Sequence, residues 1–195
     1  VSRCREYGMR MQGPNCLGFI SSRNSMNASF ASTMPTPGNV SIVSQSGALG
    51  SAILNWSRLS GMGLANFISV GNEADLTTAD FLEALIDDEA TKVVGIYVEG
   101  VKNGERFIDV AQRLSRRKPV VALKAGTTEV GVMAVSSHTG SLAGSDTAFS
   151  AAFRKAGVLR VGTMKEFFDL LSAFEGQPLP RGNGVMVVTN GGGPG

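Results

Sequence analysis

Strand-like and helix-like stretches alternate along most of this chain, and that alternation limits the fold more than any other feature. Residues 39–43, 65–70, 92–98, 119–123 and 158–161 are short apolar runs rich in valine and isoleucine, as strands buried on both faces are. Between them, residues 47–60, 77–88, 105–117, 145–156 and 163–174 read as helices. Phe107, Ile108, Val110, Ala111 and Leu114 fall on one face of the third. Thr77 with Asp80, and Thr163 with Glu166, have capping-box spacing. Such a pattern predicts an α/β fold, with a mainly parallel sheet between two helical layers.

Ligands of such sheets bind beyond the carboxyl ends of the strands. The chain's unusual residues fall there. Ser44-Gln45-Ser46-Gly47 follows the first strand, Gly71-Asn72-Glu73-Ala74-Asp75 the second, Glu99 the third and Lys124-Ala125-Gly126 the fourth. His138, the single histidine, lies in the segment leaving that fourth strand, among small and hydroxyl residues. Imidazole serves as nucleophile, proton carrier or metal ligand, although a lone histidine also serves as a structural residue. A strand, Ser44 to Gly47 and then a helix would offer free amides and hydroxyls to an anion; simple N-capping by Ser44 or Ser46 accounts for one serine. Glu99 reads either as a strand-end carboxylate in solvent or as a partner that fixes the tautomer and charge of an imidazole.

Composition narrows the classes further. A 195-residue chain that is 43% hydrophobic can bury one substantial core. Net charge is +2 with basic residues scattered, and the cluster between Arg113 and Lys118 falls where a helix ends; nucleic acid is not an expected partner. The two cysteines, Cys4 and Cys16, imply no disulfide framework and point to a reducing, cytoplasmic setting. No run is long enough to span a membrane, and no signal peptide is visible. Residues 175–183, with two prolines and two glycines, read as a linker. Residues 184–189 read as the first strand of another domain, followed by the glycine turn from Asn190 to Gly195, which is a second anion cradle or only a turn needing glycine. The start at Val1 and the end inside that turn lead us to expect a piece of a longer protein.

Six short motifs in order carry a resemblance. Gly13-Pro14-Asn15-Cys16-Leu17-Gly18, Ser44 to Gly50, Lys118-Pro119-Val120, Lys124-Ala125-Gly126, Ser137-His138-Thr139-Gly140 with Leu142-Ala143-Gly144, and Asn190 to Gly195 together resemble the NDP-forming acyl-CoA synthetases, relatives of succinyl-CoA synthetase. The resemblance implies a flavodoxin-like ligase domain over residues 19–174. Residues 1–18 would end a CoA-binding Rossmann domain, and residues 184–195 would begin a second flavodoxin-like domain. It makes His138 the phosphorylated histidine and Glu99 its supporting carboxylate. Phosphate would be held by Ser44, Gln45, Ser46, Gly47 and Gly140, and at the second cradle by Gly191, Gly192 and Gly193. Asn15 and Cys16 would lie at the acyl and CoA-thiol end.

The implied reaction interconverts acyl-CoA, phosphate and a nucleoside diphosphate with carboxylate, CoA and the triphosphate. CoA, ATP/ADP or GTP/GDP, and magnesium are the implied cofactors, with no metal held by this stretch. An ATP-grasp domain or subunit is the implied partner, in a homo- or hetero-oligomer. This stretch alone is expected to be inactive. Some relatives keep the architecture as a ligand-sensing region of a protein acetyltransferase and lack the histidine; retention of His138 favours the ligase. A generic α/β ligand-binding domain is the third reading.

Overall fold

The computed structural model describes residues 1–127, 145–191 and 193. Its centre is a seven-stranded sheet in the order β2-β1-β4-β3-β5-β6-β7. The strands are β1 (Gly18–Ser21), β2 (Met26–Ser29), β3 (Pro37–Ser44), β4 (Leu64–Ser69), β5 (Val93–Val98), β6 (Val120–Lys124) and β7 (Leu159–Val161). Five of them, β4-β3-β5-β6-β7, run parallel, and β1 joins β4 antiparallel with β2 outside it. The parallel part has the flavodoxin-like order, in which the first strand lies between the second and the third.

Among the described residues six helices accompany the sheet: α1 (Ser2–Glu6), α2 (Gly47–Ser60), α3 (Thr78–Ile86), α4 (Gly104–Ser115), α5 (Asp146–Lys155) and α6 (Met164–Gly176). Helices α2 and α6 cover one face. Ile53, Phe167, Phe168 and Leu171 pack there on Val40, Ile42, Phe67 and Val121, and Trp56 stacks on Phe168 with ring centroids 3.8 Å apart. Helices α3, α4 and α5 cover the other, burying Leu82, Phe107, Leu114 and Phe153 against Val43, Ile96, Val98 and Ala122. Alternate residues of β3 thus feed two separate cores, so a slip of one residue would exchange them. Both expected capping boxes form. The Asp80 carboxylate accepts from the Thr77 amide at 2.8 Å. Glu166 donates its amide to the Thr163 hydroxyl at 3.1 Å and its carboxylate accepts from the Thr163 amide at 3.3 Å.

The predicted alternation is present throughout residues 37–174 of the described chain, with helix and strand ends shifted by a few residues. Two differences stand out. The β1–β2 hairpin was not expected, because its strands are four residues long and β2 is mostly exposed. Residues 184–189, expected as a strand, form none; Val185 and Val188 are 89% and 87% exposed. A strand needs a neighbour to take its amides and carbonyls, and among the described residues nothing pairs with this segment. Three of the four cations of the basic cluster bond within the chain. Arg113 pairs with Glu83 at 2.6 Å, Arg117 pairs with Asp87, and Lys118 Nζ donates to the carbonyls of Leu85 and Asp88 at 2.6 Å each.

Residues 10–17 lie against the end of β4. Asn72 donates its amide to Pro14 O at 2.9 Å, Ala74 to Gly13 O at 2.8 Å and Leu76 to Met11 O at 3.1 Å. Gly71 makes this approach possible: its φ is +57°, and a Cβ there would sit 2.3 Å from Pro14 O. Asp75, its side chain 2% exposed, accepts from Arg10 Nε and the Met11 amide at 2.9 Å each and from Arg5 at 3.2 Å. Arg10, then the Met11 amide, hold its carboxyl well below the usual carboxylate range. A carboxyl with a lower pKa folded than unfolded adds stability above its unfolded value of about 3.9 and loses it as pH falls toward the folded value. We therefore expect Asp75→Ala to speed amide exchange at Met11 and Leu76 while the β3 and β5 amides stay protected. Wild-type protein should show the same local loosening only on acidification well below pH ~3.9. Unchanged exchange at Met11 in Asp75→Ala would show that the clamp does not hold this segment.

Candidate functional site

Strand β3 sends its chain to β4 on one side, and β5 lies on the other, so a crevice opens beyond the carboxyl ends of β3 and β5. The strands stay paired up to that edge: Gln45 donates its amide to Tyr97 O at 3.1 Å, Val70 to Ser44 O at 2.8 Å and Ala125 to Val98 O at 2.9 Å. The loop 44–47 and Glu99 are therefore neighbours, and the 71–75 and 124–126 loops flank them, as expected from the sequence.

Each residue of the first loop has a defined use. Ser44 is fully buried; its hydroxyl donates to Ser46 O at 2.9 Å and accepts from the Ser46 amide at 3.2 Å. Ser46 is the N-cap of α2, accepting from the Leu49 amide at 3.3 Å. Both serines thus shape the turn. The amides of Gly47 and Ala48, in the first turn of α2, have no intrahelical acceptor. Gln45 differs from the sequence expectation of a phosphate ligand, because its groups are engaged within the protein. Nε2 donates to Gly100 O at 2.8 Å and to Glu73 Oε1 at 3.1 Å. Oε1 accepts from the amides of Glu99 at 2.5 Å and Gly100 at 3.0 Å. A side chain pointing inward from a turn is not legible in its type, since glutamine suits solvent equally.

Asn15 and Cys16 reach the same edge. Gly47 faces their segment so closely that a Cβ on it would lie 3.3 Å from Leu17 N and 3.8 Å from the Cys16 carbonyl carbon. Asn15 Nδ2 donates to Asn72 Oδ1 at 3.1 Å, and Leu17 donates its amide to Ser69 Oγ at 2.9 Å. Cys16 is a half-buried free thiol.

Glu99 is 6% exposed, so its carboxylate is a buried one rather than a strand-end group in solvent. Burial, then the charge of Glu99, push the Tyr97 hydroxyl pKa up. Lys124, 3% exposed, ends the neighbouring strand; its ammonium donates to Ala125 O and lies 4.8 Å from the Phe149 ring centre. Burial pulls its pKa down, against the charges of Asp146 and Glu99 that raise it. Sequence reading named Lys124 only as part of a motif and gave it no role. Glu73 and Thr78 were also missed as partners of Gln45, although the 71–75 loop was placed at this edge.

His138, Gly140 and Gly192 lie outside the described residues. Gly191 and Gly193 are in the exposed tail, where the Gly191 amide donates to the Thr189 hydroxyl at 3.0 Å. No hydrogen bond joins residues 184–191 to the sheet among the described residues. No described helix is long and apolar enough to cross a membrane.

Comparison with known proteins gives a consistent result. The family described as "Succinyl-CoA ligase like flavodoxin domain" matches residues 37–174. The alpha subunit of ADP-forming acetate–CoA ligase I from Pyrococcus furiosus is 49% identical over 195 residues, 100% of this chain and 42% of that protein. The ADP-forming acetate–CoA ligase of Methanocaldococcus jannaschii is 47% identical over 97% of this chain and 27% of that protein. A structure of the acetyl-coenzyme A synthetase 1 of Ca. Korarchaeum cryptofilum, in complex with phosphate and ADP, superimposes with a TM-score of 0.93 at 43% identity, covering 99% of this chain and 42% of that one. The chain thus spans less than half the length of these relatives. The family match over residues 37–174 agrees with the flavodoxin-like strand order, and this chain belongs to the family of succinyl-CoA ligase-like flavodoxin domains.

Proposed function

We propose that this chain is the phosphoryl-carrying part of an NDP-forming acyl-CoA synthetase. The observation that carries the reading is the meeting, at one edge of the sheet, of the α2 amides of Gly47 and Ala48, the Asn15–Cys16 segment and the buried carboxylate of Glu99. The named ligase activity of the relatives, and the phosphate and ADP bound by one of them, support it.

In this reading inorganic phosphate attacks the acyl-CoA carbonyl, the C–S bond breaks, and an acyl phosphate and CoA result. A neutral ring nitrogen of His138 then attacks phosphorus, and the carboxylate leaves. The phosphohistidine later gives its phosphoryl group to a nucleoside diphosphate, ADP in the named relatives. Two transfers replace one because the acyl and nucleotide sites are separate. The Gly47 and Ala48 amides and the α2 dipole hold the phosphoryl oxygens, with Ser44 and Ser46 shaping the turn and Gly140 beside the histidine. Glu99 accepts the other ring N–H, which fixes the tautomer and stabilises the positive ring. Positioning and charge stabilisation supply most of the catalysis.

Asn15 and Cys16 border the acyl and thiol end. Gly191, Gly192 and Gly193 belong to a second cradle at the start of a further flavodoxin-like domain, and residues 1–18 end a CoA-binding domain. Nucleotide and magnesium are held by an ATP-grasp domain or partner subunit in an oligomeric cytoplasmic enzyme. Magnesium would neutralise charge on the nucleotide phosphates; the residues of this chain act on the phosphoryl group.

Two outcomes test this. Full-length enzyme incubated with ATP and magnesium, or with acyl-CoA and phosphate, should acquire an acid-labile, base-stable phosphate that is lost entirely in His138→Ala. Equal labelling of that variant would sink the phosphohistidine. Glu99→Gln should keep the fold and slow phosphorylation about tenfold to a hundredfold, from loss of a charge-assisted bond worth roughly 1.5–3 kcal/mol. Single-turnover rates equal to wild type would remove Glu99 from the mechanism.

A further inference from the structure

We propose that Glu73 and Gln45 form a buried relay that positions Glu99 for its work on the histidine; this rests on the role given to Glu99 above. Glu73 is 5% exposed, Gln45 8% and Thr78 3%. Polar groups buried so deeply are costly unless bonded, and these are bonded to one another and to the main chain of the turn after β5. Glu73 Oε1 accepts from the Thr78 amide at 2.7 Å, from the Thr78 hydroxyl and from Gln45 Nε2 at 3.1 Å. That carboxylate, together with Gly100 O at 2.8 Å, draws the NH2 end of the Gln45 amide toward itself. The oxygen end must then face the other way, where the amides of Glu99 and Gly100 donate to it at 2.5 and 3.0 Å. Turned over, the amide would oppose two N–H donors with its own NH2 and a carboxylate with its own oxygen. Glu73 and the Gly100 carbonyl together select the orientation of Gln45, Glu73 adding the only charge among these acceptors, and Gln45 holds the main chain at Glu99.

A second tie joins the same two loops. Lys102, three residues after Glu99, donates to Glu73 O at 2.6 Å and to Asn72 O at 3.0 Å. These bonds fix the turn in which Glu73 has a φ of +53°, a conformation side-chain-bearing residues seldom adopt. Gln45 also belongs to the 44–47 turn through its own backbone. Beyond the last β3–β5 pair, the Gln45 side chain thus ties the proposed phosphate cradle to the main chain of the proposed ring-supporting carboxylate. Glu73 and Gln45 are positioning residues, acting through Glu99.

A role exerted through Glu99 should disappear when the Glu99 carboxylate is gone, which a merely structural role would not do. The test is a double-variant cycle in the full-length enzyme, reading single-turnover histidine phosphorylation from ATP. Glu73→Gln keeps the shape and removes the charge; we expect it to slow phosphorylation about tenfold with the KM for ATP within about twofold of wild type. Combined with Glu99→Gln, it should add less than about twofold to the loss from Glu99→Gln alone. Independent, multiplying losses would overturn the relay, as would a normal rate in Glu73→Gln. A normal rate in Glu99→Gln would instead overturn the role of Glu99, and the relay with it.

Gln45→Asn, which shortens the same amide by one carbon, gives a second arm should Glu73→Gln not fold. It should show the same non-additivity with Glu99→Gln. Hydrogen exchange on the wild-type enzyme needs no substitution: the Glu99 and Gly100 amides should be as protected as those inside β5. Fast exchange there would also overturn the proposal.

Discussion

Everything at the candidate site follows from the position of β3, a strand with parallel neighbours on both sides and helices on both faces. A strand so enclosed has one way out at its carboxyl end, into a turn and then a helix. That turn lies between the ends of β4 and β5, so loops far apart in sequence are brought within bonding distance. Buried backbone groups must be paired, and the pairs continue to the last residues of the strands. The edge is consequently stiff, which suits chemistry that depends on holding reacting groups in place.

Two polar devices hold the loops once the sheet has placed them. Asp75 fastens residues 10–17 over the end of β4 through two arginines and an amide. Gln45 ties the turn after β3 to the turns after β4 and β5. The first has its cations in solvent and its carboxylate covered, so its contribution depends on pH and on salt. The second is largely covered; breaking a bond to a buried group leaves that group unsatisfied, which costs more than the bond itself contributes. The surface ion pairs between α3 and α4 are of another kind. Exposed pairs such as Arg117 with Asp87 contribute little singly; they engage Arg113 and Arg117 of the basic run between Arg113 and Lys118.

Local pattern sufficed for the parallel layers because each strand and helix there buries a continuous apolar run or stripe. Both capping boxes were readable from spacing alone, since their bonds join residues three apart. The turn after β3, with its N-capping serine, could be placed at the carboxyl edge of the sheet for the same local reason. The β1–β2 hairpin was not readable: Met26, Asn27 and Ala28 are exposed, and the strand exists because β1 offers it an edge. The reverse holds for residues 184–189, whose valines and methionine look like a strand but have no edge to join among the described residues.

Sequence by itself therefore determined the α/β class, the run of parallel strands and helices, the edge at which Ser44 to Gly47, Glu99 and Lys124 gather, and the family resemblance. Those depend on periodicity, capping and short motifs, all of them local. Only the tertiary structure decided that Glu99 is buried, that Gln45 faces inward to Glu73 and Gly100, and that Asp75 reaches back to residues 10 and 11. Each of these is a pairing across tens of residues, and a polar side chain of given type suits solvent and a buried partner equally. Its choice between them is made by the neighbours that the sheet brings to it, because a buried polar group is stable only where its partners already stand.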